Sequence, residues 1–348
     1  MKEYLYNLAT DKRRGIDASF LKFFLLLGSF LYGALIRGLI LVYAFRPAKL
    51  GCKVISVGNI TLGGTGKTSL VEFVSRYLRD KGHKIAILSR GYKKLRQEMG
   101  DEPLMLLRNL GDVPVIVDRD RVRGAKRAVQ EYGVDTVILD DGMQQWRLKK
   151  DLDIVTISVP QGFGNQHMLP RGILRQPLAS LKDTHIFVLT KVSSGSSLKK
   201  IKDTLSQINP ATPVVESVHE PLGFYDINHP DELLKLNYLS GKSIGLFSGI
   251  ADPDSFANLI SGLGIKIGLD LRFGDHHNYS EEDLFGIATK CAKESLGIIL
   301  TTEKDAVRIS EAKLKLFEGY QLLVLRIALK ITKNEEQLFN RLLSLYSF

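Results

Sequence analysis

The chain has 348 residues, 44% of them hydrophobic and 25% charged, with a net charge of +10. That composition excludes a disordered or low-complexity protein, and the length exceeds one ordinary core, so two domains with an appendage are expected. The two cysteines, Cys52 and Cys291, are far apart, which excludes a disulfide framework and a thiolate metal site and points to a reducing compartment.

The positive charge gathers at the amino end, where residues 1 to 53 carry nine Lys or Arg against three acidic residues. Residues 20 to 45, FLKFFLLLGSFLYGALIRGLILVYAF, are the most apolar stretch of the chain. The unbroken apolar run between Lys22 and Arg37 has 14 residues, short of the about 20 needed to cross a bilayer. On a helix Lys22, Leu26, Ser29, Gly33 and Arg37 share one narrow arc, and Phe, Leu and Tyr occupy the remainder. The pattern predicts a helix lying in a membrane surface or dipping into one leaflet, with Lys and Arg snorkelling to the head groups. A buried hairpin and a true span are the competing readings. No small-residue cleavage site precedes Arg46-Pro47, so a signal peptide is not expected.

From Lys53 the sequence reads KVISVGNITLGGTGKTS, a β-branched strand, a glycine-rich turn and the start of a helix. Backbone N–H groups in such a turn converge on an anion, and the following helix presents its positive end to the same point. Gly63, Gly64, Thr65, Gly66 and Ser69 would cradle the phosphates of a nucleotide. Lys67 would reach the β- and γ-phosphates, and the Thr68 hydroxyl would sit on Mg²⁺. The loop is a variant, because Thr61 stands where the usual pattern has its first glycine.

Strands are predicted near 53–58, 84–89, 114–117, 134–140, 153–158 and 185–190, with helices between them such as 67–80 and 120–132, as a parallel α/β sheet demands. Gly100-Asp101-Glu102-Pro103 precedes a helical run, and by residue type alone the two carboxylates fit an acidic first turn as well as a site. The strand Val137–Leu139 ends in Asp140 and Asp141, which would open towards the phosphate turn, one of them holding or orienting Mg²⁺. Arg171 and Arg175 lie in the loop LPRGILRQP, suited to bidentate phosphate binding or to a solvated loop.

A polar stretch at 191–203, followed by Pro210, Pro213, Pro221 and Pro230, marks the passage to a second α/β domain. There, strands are expected at 243–250, over IKIGLDLRF and at 296–302, with helices from Asp254 and from Ser280. Asp275, His276 and His277 cluster just before the second helix. A His beside an Asp serves as a general base, or as part of a solvated surface loop, and the spacing disfavours zinc. The expected organisation is 1–45 as a membrane-associated helical segment, 46–205 as a P-loop domain and 206–348 as a smaller α/β domain. The C-terminal helix is free to pack back on the first domain.

Taken together these residues resemble the tetraacyldisaccharide 4'-kinase family, over nearly the whole chain. The likeness rests on SVGNITLGGTGKTS, LSRGY at 88–92, GDEP at 100–103, ILDDGMQ at 138–144, the loop at 169–177, SGIADPDSF at 248–256, DHHNYS at 275–280 and LTTEKDAV at 300–307. The resemblance implies transfer of the ATP γ-phosphoryl group to the 4'-hydroxyl of a lipid A precursor at the cytoplasmic face of the bacterial inner membrane. Its cofactors would be ATP and Mg²⁺ and its partners the precursor disaccharide and inner-membrane lipid, with no nucleic acid and no obligate protein partner. It also implies that Asp101 and His276 form a catalytic pair, assisted by Lys67, Asp140 and Asp141. Glu102 would join Thr68, Asp140 and Asp141 near the metal, and Arg90, Tyr92, Gln144, Arg171 and Arg175 would face the substrate. Three residues depart from the family pattern: Gln145 stands where a His is usual, and Arg171 and Gln176 replace an Ala and a Glu. If Asp101 and His276 belong to separate domains, closure of the cleft would bring them together.

Two other classes are weighed. A membrane-recruited nucleotide-switch ATPase of the partitioning type carries a lysine before the Gly-Gly of its loop, where this chain has Leu62. A GTPase would need an Asp after Thr190-Lys191 to read guanine, and Val192-Ser193 supply none.

Overall fold

The structure is a computed structural model and describes residues 2–13, 15–90, 99–192 and 196–347. Helices α1 (Lys2–Ala9) and α2 (Ile16–Ala44) open the chain. Strands and helices then alternate as β1 (Lys53–Asn59), α3 (Lys67–Asp80), β2 (Ile85–Ser89), α4 (Asp101–Leu110), β3 (Val115–Val117), α5 (Arg121–Tyr132) and β4 (Thr136–Asp140). Next come β5 (Leu152–Ser158), β6 (Ile186–Thr190), α6 (Ser196–Ile208), β7 (Val214–Asp226), β8 (His229–Leu234) and β9 (Ser243–Ser248). The chain finishes with α7 (Pro253–Gly262), β10 (Lys266–Arg272), α8 (Glu281–Lys293), β11 (Ile298–Thr302), the single turns α9 (Glu303–Ala306) and α10 (Glu311–Leu314), β12 (Gln321–Lys333) and α11 (Glu335–Leu343). The expected strands and helices up to residue 190 are all present within a residue or two.

Two compact units result. The first holds the chain up to residue 90, then Asn109–His219 and residues 329–347; the second holds residues 99–108 and Glu220–Ala328. The boundaries therefore fall inside α4, β7 and β12. The stretch 210–230, expected to mark the passage to a second domain, contains the break at 219/220, although it is largely strand. Pro230 is tolerated because β8 pairs only with β7 and so lies at an edge. Strand β12 had no sequence expectation, because the short apolar run Leu322–Leu325 reads equally as buried helix.

In the first unit the sheet order is β7-β6-β5-β1-β4-β2-β3, parallel throughout. Its central strands are apolar on both faces, as a covered parallel sheet requires. Val54, Ala86, Leu88, Val137 and Leu139 pack into one cluster, and Val155, Ile157, Phe187 and Leu189 into another. The register pairs Val57 with Asp140 and Asn59 with Thr156, so β1, β4 and β5 end along one edge. Ligands of such sheets bind at that edge. Residues of α11 belong to this unit, where Phe339 stacks on Tyr77 of α3 at 4.0 Å between ring centroids.

Helix α2 also packs on the first unit, and its orientation corrects the expectation for its polar arc. Ser29 donates from Oγ to the Met168 carbonyl (2.7 Å) and accepts from the Arg171 N–H (3.0 Å), and Gly28 lies against Pro170. Lys22 does not snorkel: its Nζ lies 2.6 Å from Asp11 and donates to the Arg13 carbonyl. The part of the arc from Lys22 to Gly33 thus faces protein, because hydroxyl and backbone groups of the 168–171 loop can be satisfied there, whereas Arg37 stays exposed. Phe20, Phe23, Phe30, Leu31, Leu35 and Leu41 are left more than half exposed. The apolar segment Ile16–Tyr43, 28 residues within the unbroken α2, is twice the length of the uninterrupted run and, unlike that run, long and apolar enough to cross a membrane.

In the second unit the order β10-β9-β11-β12 is parallel, and the end of β7 forms an antiparallel hairpin with β8. Leu246 and Phe247 of β9 point to opposite faces, one into the cluster around Phe256 and Ile260, the other onto Tyr279 and Leu284.

Candidate active site

The glycine-rich turn joins β1 to α3 as predicted. Gly66 caps α3 in the left-handed region at φ 77°, which no side chain adopts cheaply. Gly58 is required for a different reason: a Cβ there would run into the backbone and Cβ of Met143. The buried Thr65 fixes the turn, its Oγ1 2.7 Å from Thr156 Oγ1 and its carbonyl accepting from Thr190 Oγ1 at 2.9 Å. Lys67 reaches back over the turn, donating from Nζ to Asn59 Oδ1 (3.2 Å) and lying 3.6 Å from Asp141.

Asp140 closes β4 and is 3% exposed, whereas Asp141 sits in the left-handed region at φ 56°. Arg175 grips Asp141 with two parallel bonds of 2.8 and 3.0 Å and donates a third, of 3.0 Å, to Asn59. Burial pushes the Asp141 carboxyl up, but the Arg175 bonds and the Lys67 and Arg175 charges outweigh it and hold the group below its ordinary range. Gln144 donates from Nε2 to the Asn59 carbonyl at 3.0 Å, so Asn59 ties together Lys67, Arg175 and Gln144. Arg121 lies beneath, 3% exposed, donating to the Asp118 carbonyl and at 3.4 Å to the Asp140 carbonyl. Burial lowers its pKa to about 10, against the raising influence of Asp140.

In the second unit Asp101 and Glu102 are the first residues of α4, so the acidic-first-turn reading is realised, and Asp101 also meets His276. His276 Nδ1 lies 2.9 Å from Asp101 Oδ2, in a loop whose backbone takes φ 58° at His276. Both Asp101 and His276 belong to the second unit, so no domain closure is needed to form the pair. Arg308, with a side chain 5% exposed, places Nε 2.9 Å and Nη2 2.8 Å from the same Asp101 oxygen. Burial raises the Asp101 pKa, but the Arg308 and His276 bonds and charges prevail and lower it.

Of the other predicted residues, Arg171 is spent on structure, holding Asp11 at 2.8 and 3.1 Å. Arg90 is exposed just beyond β2, Gly63 and Gly64 lie in the turn, Thr68 and Ser69 open α3, and Tyr92 lies outside the described residues. Among the described residues no cluster of three His, Cys, Asp or Glu could hold a metal ion. Sequence reasoning missed Asn59, Arg121 and Arg308. Asn59 and Arg308 adjoin or fall within recognisable motifs, Arg308 one residue beyond LTTEKDAV, whereas nothing distinguishes Arg121 from Arg119 and Arg123.

A parallel sheet whose first strand passes through a glycine turn into Lys67-Thr68, with an acidic pair ending the adjacent strand, defines a P-loop nucleotide-binding fold of the kinase kind. The model of the tetraacyldisaccharide-1-P 4'-kinase family matches residues 21–346, and the chain belongs to that family. The tetraacyldisaccharide 4'-kinase of Halothermothrix orenii is 32% identical, with 98% of each chain covered. That of Syntrophobacter fumaroxidans is 36% identical over 76% of this chain and 74% of its own. The crystal structure of LpxK from Aquifex aeolicus in complex with ATP superposes with a TM-score of 0.73 at 27% identity, covering 94% of this chain and all of that one.

Proposed function

We propose that the protein transfers the γ-phosphoryl group of ATP to the 4'-hydroxyl of a tetraacyldisaccharide 1-phosphate embedded in a membrane. The observation that carries this reading is the pairing of two sets of groups in one chain. A glycine turn with Lys67 serves a nucleotide, and a His276–Asp101 pair at 2.9 Å serves an alcohol. Phosphoryl transfer asks mainly for positioning and charge neutralisation, which the turn amides and Lys67 supply. Lys67 leaves Asn59 and Asp141 for the phosphates when ATP enters, and Arg175 keeps Asp141 ionised meanwhile.

Thr68, Asp140 and Asp141 offer hard oxygen donors, which fit Mg²⁺; it uses one or two carboxylates and substrate phosphates rather than an all-protein cage. When bound with ATP, Mg²⁺ would neutralise phosphate charge. The acceptor alcohol is a weak nucleophile, and His276 Nε2 takes its proton while Nδ1–H stays on Asp101. The apolar face of α2 lies in the inner leaflet on the cytoplasmic side, which delivers an acylated substrate to the enzyme.

The test is incubation with γ-labelled ATP and the lipid A precursor disaccharide in mixed micelles. Label should enter the lipid, and His276→Ala should lower kcat by about 10²- to 10⁴-fold with ATP affinity retained. Native turnover in that variant removes His276 from the reaction, and label leaving ATP only as inorganic phosphate favours a nucleotide-switch ATPase.

A further inference from the structure

Arg308 touches both Asp101 and, at 3.4 Å from Nδ1, His276. Its Nε and Nη2 converge on Asp101 Oδ2, at 2.9 and 2.8 Å. Its Nη1 donates to the Gly249 carbonyl at 2.8 Å, and the same carbonyl accepts the backbone N–H of His276 at 3.1 Å. Nη1 also lies 2.9 Å from Asp305 Oδ1. That oxygen in turn accepts from Gly249 N–H and from the Tyr279 hydroxyl, both at 3.0 Å. The guanidinium is thus fixed on one side by a fully buried carboxylate and spends its other side on Asp101 and on the loop carrying His276. By contrast, the His276 side chain is 61% exposed and cannot be held by packing.

We infer that Arg308 is a positioning residue: its fork fixes the Asp101 carboxylate and the Gly249 carbonyl together, so that His276 is held with Nδ1–H on Asp101 and Nε2 free to receive a proton. This role rests on the proposed service of Asp101 and His276 to the acceptor hydroxyl. Its chemistry is simple. A carboxylate already accepting two guanidinium N–H bonds on Oδ2 acts towards the imidazole as an acceptor, and at 2.9 Å from Nδ1 it prevails over the Arg308 Nη2 donor at 3.4 Å, which selects the tautomer protonated at Nδ1. That tautomer leaves the lone pair on Nε2, the ring atom away from Asp101. A lysine at this position would keep the charge but not the planar fork, so it could not serve Asp101 and Gly249 in one geometry.

The experiment compares Arg308→Gln, Arg308→Lys and Asp101→Ala in the full chain, by steady-state labelling of the lipid and by long-range ¹H–¹⁵N NMR of the His276 ring. The ring signal is assigned among the seven histidines with His276→Ala. Arg308→Gln should lower kcat by about 10- to 100-fold, part of the roughly 10²- to 10⁴-fold that a positioned base supplies, with KM for ATP unchanged. Its His276 ring should lose the dominant Nδ1–H signature. Arg308→Lys should recover part of both signals, and it alone decides by the same two readouts if the Gln variant does not fold. A native kcat with a native tautomer in whichever variant folds overturns the inference. So does a rise in KM for ATP that accounts for the whole loss, because the role would then be global structure. If Asp101→Ala is itself fully active, the reading of the pair fails; if it is inactive while the Arg308 variants are native, only the clamp fails.

Discussion

The exposed face of α2 sets how strongly the protein should partition into lipid. Phe30 is 66% exposed and Leu31 75% exposed, while their neighbour Ser29 is buried against the 168–171 loop. Burying a whole Phe or Leu side chain is worth about 1.5–3 kcal/mol, so the exposed portion of each can contribute about 1–2 kcal/mol when it enters lipid. Replacing both by Ala, which keeps helix propensity and leaves the packed face alone, should weaken membrane partitioning by about 2–4 kcal/mol, or about 30- to 700-fold. The assay is flotation of the purified protein with phospholipid vesicles, with the partition coefficient read over a lipid titration. ATP binding should not change, because the nucleotide turn contacts neither residue. A partition coefficient equal to that of the native protein would refute the assignment of this face to lipid.

Gly58→Ala should destabilise the first unit by about 2 kcal/mol or more, because the added methyl meets the backbone of Met143, which cannot swing aside; urea denaturation measures the loss, and native stability would show that β1 is free to shift. Asp11 links the α1–α2 turn to Lys22, Arg171 and Asn165, and although burial pushes its carboxyl up, those bonds lower it from 3.8 to about 2. Since the folded value lies below the unfolded one, this contribution is complete above about pH 4 and disappears as the pH falls towards 2. With the side chain 39% exposed, solvent screening limits it to about 1 kcal/mol. Asp11→Asn should therefore cost about that much at pH 7 and almost nothing at pH 2 by denaturant titration, and an equal cost at both would locate the effect outside ionisation.

Much of the site is legible in the sequence because its elements are local. Strand, glycine turn and helix start follow one another from Lys53 to Ser69, and Asp140-Asp141 simply ends an apolar strand. The residues that hold these groups are harder to read. Arg175 meets Asp141 from 34 positions away and Arg308 meets Asp101 from 207, distances along the chain at which no periodic pattern operates. The partners of Lys22 and Ser29 on α2 are hidden from the sequence for a related reason. Its polar arc is compatible with head groups or with protein carbonyls, and only the 168–171 loop, distant in sequence, decides between them. The Pro-punctuated stretch does contain the passage between the two units, at 219/220, but the break falls inside β7 rather than in a loop, so composition located the boundary without revealing that a strand crosses it.

The most direct test of the account is single-turnover transfer of labelled γ-phosphate in the native protein and in Lys67→Ala, with the lipid A precursor disaccharide present in vesicles. The native protein should place the label on the 4' position of the lipid, and the variant, still folded and still membrane-bound, should place almost none. Native protein that binds ATP and precursor yet leaves the lipid unlabelled, or a variant that labels it at the native rate, would contradict it.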